Sequence, residues 1–129
     1  MPAIVLTTLN ARWSHAALGL RYLRANLGDL RDDSAIVEFT IARPAEEIVA
    51  DLLARTPRLV GFGVYIWNVA QTTRVIERLK EVAPQITVVL GGPEVSHEVE
   101  RQHICALADY VITGWGDITF AQLAWQILH

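Results

Sequence analysis

The sequence predicts an α/β fold, a single five-stranded parallel sheet with helices on both faces. Five short β-rich apolar runs recur along the 129 residues, at 3–9, 35–41, 58–66, 86–92 and 109–113. Each is followed by a segment of helical period. The first strand–helix turn, "LNARWSHAALG", contains no Gly-x-Gly-x-x-Gly, so the pyrophosphate site of a dinucleotide-binding half is not offered there. Alternating strands and helices imply parallel pairing through right-handed crossovers. Without the glycine fingerprint, the expected strand order is 2-1-3-4-5, a Rossmann-like (flavodoxin-like) arrangement.

The helices follow from apolar spacing. Between 16 and 28, Leu20, Leu23 and Leu27 stand at i, i+3, i+7, and between 45 and 55, Ile48, Val49, Leu52 and Leu53 form two i, i+4 pairs. Pro44 suits a helix start, where its missing N–H is not needed. The third helix, 69–83, gathers Ile76, Leu79 and Ala83 on one side, and the last, 117–128, gathers Phe120, Leu123, Ala124, Ile127 and Leu128. Trp125, inside that last helix, is expected in the core. The fourth, 94–107, has Glu, His and Arg interrupting its period.

The totals bound the rest. The length suits one domain, 1–129, with 52% hydrophobic residues and a net charge of −3. Lys and Arg are scattered, so a nucleic-acid partner is not expected. Cys105 is the only cysteine, which leaves no internal disulfide and no Cys-x-x-Cys site, and a reducing, cytoplasmic setting is expected. No apolar run is long enough for a membrane span. The apolar ending "AWQILH" leads us to expect the amino-terminal part of a longer protein.

Ligands of open parallel sheets bind beyond the carboxyl ends of the strands, where strand order reverses. Segments 7–19, 64–68, 91–94 and 113–117 converge there. They contain Trp13, Trp67 and Trp115, three of the four tryptophans, and Gly91, Gly92, Gly114 and Gly116. Solvent-facing turns seldom need large aromatics, and glycines let a flat ligand approach backbone N–H groups. Glycine also ends strands that have no ligand nearby. Asn10 and Ser14 occupy capping positions before His15, Glu94 and Asp117 can cap their own helices, and no nucleophile–base pair or carboxylate pair emerges. Response-regulator receivers share the topology but require an acidic cluster after the first strand and an Asp ending the third. Here those places hold Thr7, Thr8, Leu9 and Asn10, then Tyr65, Ile66, Trp67 and Asn68.

The runs "LTTLNARWSHAALGLRYLRANL", "GFGVYIWN", "VVLGGPEVSHE" and "ADYVITGWGDITF" together resemble the amino-terminal cobalamin-binding domain of cobalamin-dependent radical S-adenosylmethionine proteins. The likeness extends from about residue 3 to 125. It implies cobalamin at the carboxyl edge of the sheet, and a following barrel domain that holds S-adenosylmethionine and a [4Fe-4S] cluster through Cys-x3-Cys-x2-Cys. That cluster motif is absent here, so the cluster, S-adenosylmethionine and the radical barrel belong to a domain outside this chain. The cofactor-binding residues implied are Leu9, Asn10, Trp13, Ser14, His15, Tyr65, Ile66, Trp67, Asn68, Gly91, Gly92, Pro93, Glu94, Gly114, Trp115 and Gly116.

Two departures from the pattern matter. The Asp-x-His-x-x-Gly that supplies a histidine to cobalt is missing, since Trp13-Ser14-His15 is followed by a glycine only at 19. A corrin held without a protein histidine is therefore expected. The Gly-Glu-Gly-Glu near the fifth strand is Gly114-Trp115-Gly116-Asp117, with tryptophan in place of its first acid. The chain is expected to bind its cofactor and not to be catalytic alone. A stand-alone nucleotide-binding protein or small enzyme, and a degenerate domain kept for interdomain packing, are the alternatives.

Overall fold

A computed structural model describes residues 2–10, 18–65, 68–91, 103–112 and 117–129. Its elements, in chain order, are β1 (Ile4–Asn10), α1 (Leu18–Ala25), a 3-10 turn (Gly28–Asp33), β2 (Ser34–Thr40), α2 (Ala45–Leu53), β3 (Leu59–Gly63), α3 (Val69–Val82), β4 (Thr87–Gly91), α4 (His103–Leu107), β5 (Tyr110–Val111) and α5 (Asp117–Leu128). The strands pair in parallel in the order β2-β1-β3-β4-β5, as the alternation of runs and helices predicts.

All seven residues of β1 are buried, as a strand covered on both faces requires. Alternation along it separates two cores. Val5 and Leu9 join Ile48 and Leu52 of α2, Val75, Ile76 and Leu79 of α3 and Ile104 of α4. Ile4 and Leu6 point the other way, to Leu20 of α1, Leu27, Leu30, and Phe120 and Ala124 of α5. The sheet thus has an α2/α3 face and an α1/α5 face.

On the α1/α5 face, β3 presents Leu59, then Gly61, then Gly63. A β-carbon on Gly61 would stand 3.0 Å from Leu6 Cδ2 and 3.5 Å from Phe120 Cε1, so the missing side chain is what lets the Phe120 ring lie against the strand. Of the stripes expected on the first three helices, Leu20, Leu27, Ile48, Val49, Leu52, Ile76, Leu79 and Ala83 are buried, Leu23 and Leu53 are half-buried, and Thr72 and Val75 join them on α3. Pro44 precedes α2, its carbonyl accepting from Glu47 and Ile48.

Three expectations change. Strand β3 ends at Gly63, not at 66, although Val64 N–H still donates to Gly91 O at 2.8 Å. The 3-10 turn, entered at Gly28 with φ +61°, had no periodic signal. Trp125 is 49% exposed and stacks on His129, ring centroids 3.9 Å apart. The buried line of α5 runs through Phe120 and Ala124, four residues apart, and one further residue turns the side chain about 100° away from it. Of the expected fourth helix, α4 accounts for 103–107; positions 94–102 lie outside the described residues. Edge strand β5 is only two residues long, and Asp109 starts its pairing. The Asp109 carboxylate accepts from Val88 N–H at 2.7 Å and from Lys80 Nζ, while its own N–H donates to Val88 O.

At the carboxyl end of α2, Asp51 accepts from Arg55 and from Arg43 Nη1, the latter at 3.0 Å. Arg55 first, then Arg43, holds its carboxyl below the usual 3.8, against the opposing effect of burial. A depressed folded pKa contributes stability above the unfolded value and loses it as pH falls through the folded one. We expect Asp51→Asn to cost under about 1 kcal/mol at neutral pH, since the pair is partly solvated, and to cost progressively less as pH falls below the ordinary carboxylate range; urea titrations at neutral and acidic pH check this. Phe120→Ala is expected to lower the unfolding free energy by about 3–4 kcal/mol with little change in m-value.

Candidate functional site

The strand order reverses between β1 and β3, and the chain leaves these neighbouring strands in opposite directions there. Parallel register aligns Glu38, Thr8, Gly63 and Gly91 in one row across β2, β1, β3 and β4. The row faces α1 and α5, like Leu6 and Gly61 one step below it. Its β3 and β4 members carry no side chain.

The bare row has different neighbours along its length. A β-carbon on Gly91 would meet none of the described atoms within 4 Å, whereas one on Gly63 would stand 3.5 Å from Thr8 Cβ and 3.5 Å from Tyr65 Cε2. Half-buried Tyr65 therefore borders the row beside Gly63, and no described side chain covers Gly91. At the β2 end, the Asn10 amide donates to Glu38 Oε1 at 3.0 Å.

Beneath the row sits Asn68, fully buried at the entrance to α3. Its Nδ2 lies within hydrogen-bonding distance of three oxygens, Leu9 O at 2.9 Å, Gly63 O at 3.2 Å and Thr8 Oγ1 at 3.2 Å. Its Oδ1 accepts from Tyr65 N–H at 2.8 Å. Thr8 Oγ1 in turn donates to Gly63 O at 3.0 Å. The carboxamide thus joins the ends of β1 and β3 to the first residues beyond β3. Asparagine in front of a helix ordinarily caps it by accepting from the first-turn N–H groups. Asn68 makes no such bond, because its side chain turns back into the sheet.

Five of the residues expected to hold a cofactor are described, and all meet at this edge. Asn10 and Tyr65 border it with their side chains, and Gly91 leaves it open. Leu9 and Asn68 need a corrected role. The Leu9 side chain is buried in the α2/α3 core, so only its backbone belongs to the edge, and the Asn68 carboxamide is enclosed and engaged by protein. Neither side chain is a contact surface. Trp13, Ser14, His15, Ile66, Trp67, Gly92, Pro93, Glu94, Gly114, Trp115 and Gly116 lie outside the described residues. Thr8 and Gly63 were missed. Their signals were present: a polar Thr-Thr pair inside an apolar strand, and the second glycine of "GFG".

Among the described residues no group of three or more His, Cys, Asp or Glu could hold a metal ion. Cys105 is half-buried on α4, and desolvation pushes its thiol upward, away from the thiolate form. No described helix is long and apolar enough to cross a membrane.

In an open parallel sheet the carboxyl edge at the switch point is where a ligand is ordinarily held. The chain belongs to the B12 binding domain family, which matches residues 4–124, and is a cobalamin-binding module of that family. Solved structures agree on the fold. A cobalamin-binding protein from Desulfitobacterium hafniense is 20% identical with a TM-score of 0.68, over 99% of this chain and 59% of that one. A CheY-like protein from Pseudomonas aeruginosa is 18% identical with a TM-score of 0.67, over 95% of this chain and 91% of that one. The BeF3-activated receiver domain DrrB is 16% identical with a TM-score of 0.66, over 99% and 98%. No curated protein matches the chain.

Thr8→Val keeps the shape of the side chain but removes the donor to Gly63 O and an acceptor for Asn68. We expect it to cost about 1–3 kcal/mol of stability, with Thr8→Ser retaining most of that; guanidinium unfolding of the two variants measures the difference.

Proposed function

We propose that this chain is the cobalamin-binding domain of a radical S-adenosylmethionine enzyme, acting in a reducing cytoplasmic compartment, and that it holds the corrin against the Thr8–Gly63–Gly91 row. The observation that carries the reading is the register of Gly63 with Gly91 on a face where a β-carbon at Gly91 would meet none of the described atoms within 4 Å. A broad, flat ring with amide-bearing arms needs strand ends without protruding side chains, and two adjacent strands supply them. These residues fit the group.

Within that reading each part of the chain has its own task. Gly63 and Gly91 keep the floor low, Tyr65 and Asn10 bound it, and Thr8 closes the gap between β1 and β3. Trp13, Trp67 and Trp115 exclude water around the ring, and Ser14, His15, Ile66, Gly92, Pro93, Glu94, Gly114 and Gly116 complete its surroundings. The missing Asp-x-His-x-x-Gly favours a corrin held without a protein histidine on cobalt. When bound, the cobalt supplies methyl-transfer or radical chemistry that no side chain of this domain could perform. S-adenosylmethionine and the [4Fe-4S] cluster belong to a carboxyl-terminal barrel, the proposed partner.

Two measurements test the reading. Purified chain mixed with hydroxocobalamin and freed of excess is expected to keep corrin absorbance. Gly91→Leu is expected to fold normally and to weaken retention at least about tenfold by filling the open space, a difference of about 1.4 kcal/mol. Loss of all corrin from the native chain, or equal retention by Gly91→Leu, overturns the binding site. In the coding sequence beyond His129 we expect Cys-x3-Cys-x2-Cys, and its absence there overturns the radical-enzyme assignment.

A further inference from the structure

The geometry points to Asn68 as the positioning residue of the site, a buried carboxamide that sets the relative exit of the two segments flanking the switch point and so governs ligand affinity without touching the ligand. The inference rests on the cobalamin reading above, and it adds a residue that acts through others. One side chain makes every connection required. Leu9 O belongs to the penultimate residue of β1, Gly63 O to the last residue of β3, and Tyr65 N–H to the segment leaving β3. The turn is closed from the other side as well, because Asn68 N–H donates to Tyr65 O at 3.0 Å and Asn68 O accepts from Thr72 N–H at 2.8 Å. The exit of β3, the start of α3 and the end of β1 therefore cannot shift independently while this carboxamide is in place.

Residue type matters as much as position. The site needs donors toward two carbonyls and a hydroxyl and an acceptor toward an amide N–H, and among small side chains only a carboxamide sets two N–H donors beside an acceptor oxygen in one planar group at neutral pH. Leucine has neither, and a carboxylate lacks the donor. The local sacrifice agrees with this assignment. Helix α3 begins without the side-chain cap that asparagine would ordinarily provide. Departures of this kind from local preference cluster where a site imposes its own geometry.

The test uses Asn68→Ala and the near-isosteric Asn68→Asp, at a temperature where circular dichroism shows both fully folded. Hydroxocobalamin is titrated into each and into the native chain, and affinity is read from the visible spectrum. Asn68→Ala is expected to bind about tenfold or more weakly. The carboxyl group that Asn68→Asp introduces would be buried against two carbonyls and a hydroxyl, with the Tyr65 N–H as its one donor among the described partners and Glu38, tied to Asn10, as the described charged group of the nearby row. Its neutral form can donate and its charged form cannot, so its pKa is raised. Affinity of Asn68→Asp should then approach the native value at about pH 5 and fall toward that of Asn68→Ala by about pH 8, a slope absent from the other two proteins.

Equal affinity of Asn68→Ala and the native chain, or a pH-independent Asn68→Asp, overturns the inference. Amide hydrogen exchange in the ligand-free proteins supplies an independent arm. Asn68→Ala should accelerate exchange at Tyr65 at least about tenfold over amides in the middle of β1, and unchanged protection at Tyr65 also overturns it. Failure of the native chain to bind hydroxocobalamin counts against the cobalamin reading instead, and the exchange arm then still decides the role of Asn68.

Discussion

The hydrogen bonds of the Asn68 carboxamide are the constraint on which the carboxyl edge depends. In a parallel sheet the last residues of adjacent strands have no further ladder partners, and at a switch point the chain departs on both faces. Ends left this way would fray and would expose carbonyl groups. Asn68 answers both problems with one planar group, bonding Leu9 O and Gly63 O on the strand side and Tyr65 N–H on the exit side. Thr8 adds the cross-strand bond to Gly63 O. A fully enclosed network of this kind is strong because no water competes for its members, and costly to leave partly unmade for the same reason.

That constraint makes a bare floor possible. Glycine in a strand gives up packing and raises the entropy lost on folding, so a surface of Gly63 and Gly91 must be held by something else. Below it, Phe120 covers Gly61 and closes the α1/α5 core. At the strand ends, the Asn68 and Thr8 bonds hold β1 to β3. The two glycines of the row are therefore held in backbone and bare of side chains, the combination that a large planar ligand requires. On the opposite face the same strands carry Val60, Phe62, Val88 and Leu90 into the α2/α3 core, so the asymmetry of β3 and β4 separates anchoring from binding.

Helix faces and the alternation of strands with helices were legible in the sequence because they follow from periodicity, which is local, and strand order followed from that alternation together with the missing glycine fingerprint. Leu20, Leu23 and Leu27, or Ile48, Val49, Leu52 and Leu53, report a buried stripe without reference to the rest of the chain. Trp125 misled because its size suggests burial, whereas its angular position one residue past Ala124 decides exposure. Asn68 was legible as important but not as buried: an asparagine before a helix reads as a cap or a ligand contact, and only the β1–β3 pairing shows that its partners lie about sixty residues earlier. Thr8 carried a visible signal, a hydroxyl inside an apolar strand, yet its partner Gly63 is equally distant in sequence. Relations of that length appear only when the register is known.

Receiver-like folds share this sheet, so the chemistry at the edge must distinguish what the edge can take. Where receivers need acids, the described strand ends here carry Thr8, Gly63 and Gly91, all neutral, over the enclosed Asn68 carboxamide. The charged member of the row is Glu38, at the β2 end and bonded to Asn10. An array of neutral dipoles gives a bare metal ion little to replace its hydration. It suits a ligand that brings its own metal already enclosed by a macrocycle and meets the protein through a flat face and polar arms. Under the proposed reading, the fold sets the edge at which the ring would lie, and glycine, threonine and asparagine in place of acids suit that edge to it.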